Sequence, residues 1–181
     1  MSWILSQIAT NYNATPPVTY ATWNPADKNA YISTSNWDLT ATAVISWGWQ
    51  YWTIRSTVWV SSWKWYWEQT HSEVSSGAWF DWISTTSAYG SQELWSDWYW
   101  WWVRFTPTLE LYARRHNGAY TTWVCPSWQS SSTIYGYALD MDSGTLSAYI
   151  DWVSQWTIFS WISWTVFATS NIWNNWAYST A

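Results

Sequence analysis

Glycine is scarce in this chain: 6 residues in 181, where average usage near 7% corresponds to about 13. Charge is scarce as well, at 9% of residues with a formal net charge of −5. That balance excludes nucleic acid as a partner, because phosphate binding depends on clustered Lys and Arg, and the single basic pair Arg114-Arg115 is too small to supply it. One cysteine, Cys125, excludes an intrachain disulfide framework and gives no metal-site spacing. No apolar run approaches the roughly 18 residues a membrane helix needs. The first residues, Met1-Ser2-Trp3-Ile4-Leu5-Ser6-Gln7, carry neither the basic region nor the apolar stretch of a signal peptide. Synthesis in a cytoplasm is therefore the expectation, with no membrane insertion and release into an extracellular or particle setting by another route.

Helix signals are also lacking. No segment sustains apolar residues at i, i+3, i+4 and i+7 over three turns; β-branched and aromatic residues alternate in short runs separated by Ser, Asn, Asp and Gly. These runs predict strands near 30–34, 39–45, 53–60, 64–71, 78–84, 102–106, 109–114, 134–140, 145–150, 157–159 and 165–170. Many short strands with close turn signals read as an all-β sandwich or barrel, of which a two-sheet antiparallel β-sandwich is the expectation. Residues 1–22, with Pro16-Pro17 and abundant Thr and Asn, read as an arm or linker, leaving 23–181 as the sandwich domain.

Tryptophan is what the chain has in excess, at 25 residues. Several fall in turns: Ser35-Asn36-Trp37-Asp38, Ser61-Ser62-Trp63-Lys64, Ile150-Asp151-Trp152-Val153 and Ser160-Trp161-Ile162-Ser163-Trp164. The Asn-X and Asp-X steps of the first and third ordinarily take Gly at X, since type I′ turns need positive φ at both central residues. A bulky residue there is strained by roughly 1–2 kcal/mol.

Two segments carry a family resemblance. The first is Trp23-Asn24-Pro25-Ala26-Asp27-Lys28, followed by Arg55-Ser56-Thr57-Val58 and Lys64-Trp65-Tyr66-Trp67-Glu68. The second is Ala138-Leu139-Asp140-Met141-Asp142-Ser143-Gly144-Thr145-Leu146. Together they resemble the SPRY (B30.2) domain in its phage and bacterial versions, over about residues 22–178, and Leu94 to Val103 is similar to a third family stretch. Where that family has Trp, this chain keeps it, at Trp23, Trp65, Trp67 and Trp101. Where the family has Gly, this chain often has Trp: Trp37, Trp59, Trp63, Trp95, Trp100, Trp102, Trp152 and Trp156. A gene in which UGA means glycine, translated with a table in which UGA means tryptophan, yields this pattern; a genuinely Trp-rich surface is the rival explanation. On the first account Trp37, Trp63 and Trp152 should hold positive φ with their indoles toward solvent. Trp65 and Trp67 should show ordinary β dihedrals, at least one of them deeply buried.

Candidate chemistry is thin. Trp65 and Trp67 alternate with Tyr66 and Glu68, so each pair shares one face of a strand, the indoles toward an inter-sheet core. Asp140-x-Asp142-x-Gly144 opens like a calcium loop but lacks the sixth-position Gly and the distal Glu. His71 and His116 are the only histidines, and no G-x-S-x-G elbow accompanies them. Glu68 and Glu73, five apart on a strand, would lie on opposite faces and roughly 16 Å apart. No enzyme and no cofactor are expected. Two loop-rich stretches, 85–101 and 113–133, supply the residue types of binding hot spots: Tyr89, Tyr99 and Trp101 in one, Arg114, Arg115, His116 and Tyr120 in the other. The resemblance implies loops at one end of the sandwich that grip a protein surface or identical subunits, in a phage virion or a surface assembly. A carbohydrate-binding adhesin using the aromatic loop residues is the alternative.

Overall fold

A computed structural model describes residues 20–44, 51–71, 79–85, 100–105, 110–115, 121–124, 130 and 132–173. They form thirteen strands: β1 (Trp23–Lys28), β2 (Ile32–Ser35), β3 (Thr40–Ala43), β4 (Tyr51–Val60), β5 (Lys64–Gln69), β6 (Trp79–Thr85), β7 (Trp100–Phe105), β8 (Glu110–Arg115), β9 (Thr121–Val124), β10 (Tyr135–Asp140), β11 (Thr145–Ile150), β12 (Val153–Phe159) and β13 (Val166–Trp173). A seven-stranded sheet runs β1-β4-β13-β6-β7-β8-β9 and a four-stranded sheet β12-β11-β10-β5, with β2-β3 as a separate hairpin. All pairings are antiparallel, and the described residues contain no helix. The expected antiparallel β-sandwich is the observed fold.

The small sheet shows why alternation specifies it. In β5 and β11 every second residue is buried, which puts Trp65, Trp67, Leu146, Ala148 and Ile150 in the core. β10 adds Tyr135, Tyr137 and Leu139 in register with them, and the Trp67 and Tyr137 rings stack at 5.3 Å. The large sheet contributes Trp52, Ile54, Ile83, Val166 and Ala168 to the same cluster. A one-residue slip of any of these strands would turn its apolar set to solvent, so the pattern also fixes register.

Two strands lie outside the sequence expectation. β1 contains Asn24-Pro25, a pair that reads as a turn, yet it is tolerated because β1 is an edge strand of its sheet, where a missing donor faces no partner. β9 is only four residues long, too short for alternation to register. The arm expected over residues 1–22 is described only at its end. Residues 1–19 lie outside the described residues, whereas Ala21 is buried in the core. Thr22 already joins the sheet: Thr57 N–H donates to its carbonyl at 2.8 Å and its own N–H donates to Thr57 Oγ1 at 3.1 Å.

Candidate interaction surface

Three of the seven residues singled out for binding fall on strands rather than loops. Trp101 sits in β7, and Arg114 and Arg115 in β8. The β7–β8 register sets Trp101 directly opposite Arg115 and Trp102 opposite Arg114, fourteen and twelve positions apart in sequence. On its other side Trp101 pairs with Ile83 of β6. Tyr89, Tyr99, His116 and Tyr120 lie outside the described residues. The loop-rich stretches 85–101 and 113–133 thus contain β9 as well as the ends of β7 and β8.

A second surface was not singled out as a site. The outer face of the four-stranded sheet carries Tyr66 and Glu68 together, as their alternation with the buried Trp65 and Trp67 implies. The Tyr66 hydroxyl donates to Glu68 Oε1 at 2.9 Å, and its ring meets Tyr149 edge-on at 6.0 Å. Burial, followed by the hydrogen bond to Glu68 and that residue's charge, pushes the Tyr66 phenol well above its ordinary range. The ring lies down over Gly136, whose place for a Cβ would be 2.3 Å from the Tyr66 hydroxyl oxygen. The signal for this arrangement was the Gly inside an otherwise regular strand pattern, which marks a close approach. Trp152 Nε1 also donates to Glu68 Oε1, at 2.9 Å.

The Asp140-x-Asp142 segment serves the β10–β11 turn. Asp140 Oδ1 accepts from the N–H groups of Asp142 and Ser143 at 3.0 and 3.1 Å, Asp140 Oδ2 is ion-paired with Lys64, and Asp142 Oδ1 accepts from Trp63 N–H. Both carboxylates tie the turn down. Among the described residues no group of three or more His, Cys, Asp and Glu side chains is placed to hold a metal ion, and no helix is long and apolar enough to cross a membrane.

With the geometry in place, solved structures give the fold its class. The chain is similar to the TRIM65 PSpry domain, with a TM-score of 0.61 and 18% identity over 84% of this chain and 90% of that one. It is also similar to the SPRY domain of human HERC1, with a TM-score of 0.65 and 14% identity over 82% of this chain and 88% of that one. No family model and no curated protein matches the sequence. The architecture is thus the β-sandwich of SPRY domains.

Proposed function

We propose that this chain is a non-catalytic protein-interaction module, and that it binds a protein surface or identical copies of itself in a phage virion or cell-surface assembly. The observation that carries this reading is the in-register backbone pair Trp101–Arg115, which sets a Trp position opposite an Arg position on a fold similar to SPRY domains. Trp and Arg are the side chains most enriched at binding hot spots. Arg114, with Tyr89, Tyr99, His116 and Tyr120 of the same two sequence stretches, would extend the surface, and the residues before Ala21, within the arm expected over 1–22, would act as tether or lattice contact. The same reading takes the gene to use UGA as glycine, which would account for Trp at positions where the resembled family has Gly.

A random-peptide display selection on the immobilised chain tests the binding reading, with a glycan array as its second arm. Enriched peptides that bind at least tenfold more weakly to Trp101→Ala and Arg115→Ala, both variants keeping the parent melting temperature, support it. Sugar binding lost on changing Tyr99 or Trp101 to Ala, with no enriched peptide, would replace it by the adhesin reading.

A further inference from the structure

Among the described residues, every side-chain-bearing residue with positive φ is Asn, Asp or Trp. Asn36, Asp38 and Asp151 belong to the types that visit the left-handed region routinely, because a short polar side chain hydrogen-bonds locally. Tryptophan has no such means. Yet Trp37 (57°), Trp63 (73°), Trp152 (65°), Trp156 (97°) and Trp161 (72°) all lie there, in the conformation that glycine alone adopts without steric cost.

Each position has its own backbone reason. Ile150 pairs with Val153, so Asp151-Trp152 is a two-residue hairpin loop with both φ positive, 46° and 65°; that is type I′ geometry, for which Asp-Gly is a preferred pair. Trp37 and Asp38 occupy the centre of a second turn of that kind, closed by Leu39 N–H to Asn36 C=O at 3.0 Å. Trp63 ends the short connection from β4 to β5, and Met141 N–H donates to its carbonyl at 2.9 Å. Trp156 lies in β12 where the register with β11 shifts between Ser147 and Tyr149, a bulge position that favours Gly when φ is positive. Trp161 precedes Ile162, whose backbone is packed so closely on Gly144 that a Cβ there would be 2.6 Å from the Ile162 carbonyl oxygen.

The side chains divide the same way. All five of these indoles are exposed, Trp37 by 90%, and the one direct hydrogen bond described for them above is Trp152 to Glu68. Trp23, Trp52, Trp65 and Trp67 are all buried in the core cluster, and none has positive φ. These nine tryptophans thus fall into two groups, one packed by the side chain and the other placed by the backbone, while Trp59 and Trp164 are exposed without positive φ and belong to neither.

We propose that positions 37, 63, 152, 156 and 161 are glycine in the protein as its own cell makes it, and that 23, 52, 65 and 67 are true tryptophans. This assignment rests on the reading of UGA as glycine and makes it specific to positions. It adds position 161 and draws its support from dihedral angles rather than family comparison. It also restores glycine where turns and a bulge require it, and removes five large apolar groups from the surface.

The gene and the protein each supply a test. The expected coding triplets are UGA at all five positions and UGG at 23, 52, 65 and 67. UGG at any of the five, or UGA at any of the four, overturns the assignment; a gene without UGA codons overturns the recoding reading with it. In a standard host, the chain carrying Trp37→Gly, Trp63→Gly, Trp152→Gly, Trp156→Gly and Trp161→Gly is compared with the chain that keeps all five tryptophans. The glycine variant should melt higher by roughly 10 °C or more, while Trp23→Gly with Trp65→Gly abolishes cooperative unfolding. A five-glycine variant that melts at or below the five-tryptophan chain would overturn the proposal. Neither readout involves partner binding, so the interaction reading stands or falls separately.

Discussion

Arg55 grips Asp27 with two parallel hydrogen bonds, Nε to Oδ2 and Nη2 to Oδ1, each 2.8 Å long. The same guanidinium donates through Nη1 to the Thr85 carbonyl at 3.0 Å and lies 5.0 Å from the centre of the Phe167 ring. One side chain therefore joins β1, β4, β6 and β13. This is the structural role of the Trp23–Lys28 and Arg55–Val58 motifs that carry the family resemblance. Truncating Asp27 to Ala leaves a buried cation without its fork, and urea unfolding should show a loss of about 2–4 kcal/mol, discounted from the fully buried case because Asp27 is partly solvated. Arg55→Lys should not recover it, since an ammonium cannot make the planar fork.

Gly136→Ala should cost about 1–3 kcal/mol by overpacking, because the new methyl meets the Tyr66 hydroxyl at 2.3 Å and the Tyr149 Cβ at 3.3 Å. In a double-mutant cycle with Tyr66→Phe the penalty should shrink. Additive losses would show that the ring, not the hydroxyl, fills the space.

Acid stability should depend on Asp140. Burial pushes its carboxyl up, but the Lys64 ammonium and the Ser143 N–H outweigh this and hold it below the usual carboxylate range. A depressed folded-state value contributes stability that is present above the unfolded value of about 3.9 and is lost as pH falls through the folded one. Asp140→Asn should flatten this acid limb of the stability–pH curve, measured by denaturation at a series of pH values.

At the alkaline end the sign reverses. The Tyr66 phenol is raised in the folded state, so the unfolded chain gives up this proton first and stability falls as pH rises past the unfolded tyrosine value of about 10. Tyr66→Phe should remove that part of the alkaline loss. Unfolding curves collected between pH 8 and 11 would reveal it.

How much the sequence disclosed depended on which force set each element. β5, β10 and β11 are governed by burial, which leaves its period in the residue order, so Trp65 and Trp67 could be placed toward the core by inspection. β1 is held by its pairing with β4 and by the Arg55–Asp27 fork, and neither leaves a periodic trace around Asn24-Pro25. The turn position of Trp152 was legible because the preceding Asp151 names the turn type, whereas at Trp37 the central pair is Trp37-Asp38 rather than the Asn36-Trp37 step. The pairing of Trp101 with Arg115 was not, because register between β7 and β8 is a property of two strands and cannot be read along one.

The position of β13 bears on how the chain must be made. It lies between β4 and β6, yet it emerges from the ribosome about 80 residues after β6. At roughly 5–20 residues per second, two long strand edges that face one another wait for several seconds with their hydrogen-bonding groups unclaimed. Any chain ending before residue 166 keeps that gap permanently, and its two halves can close it only by borrowing a strand from a neighbour. Complete translation is thus a condition of solubility for this fold, and shortened products are expected to collect in aggregates rather than as partly active fragments.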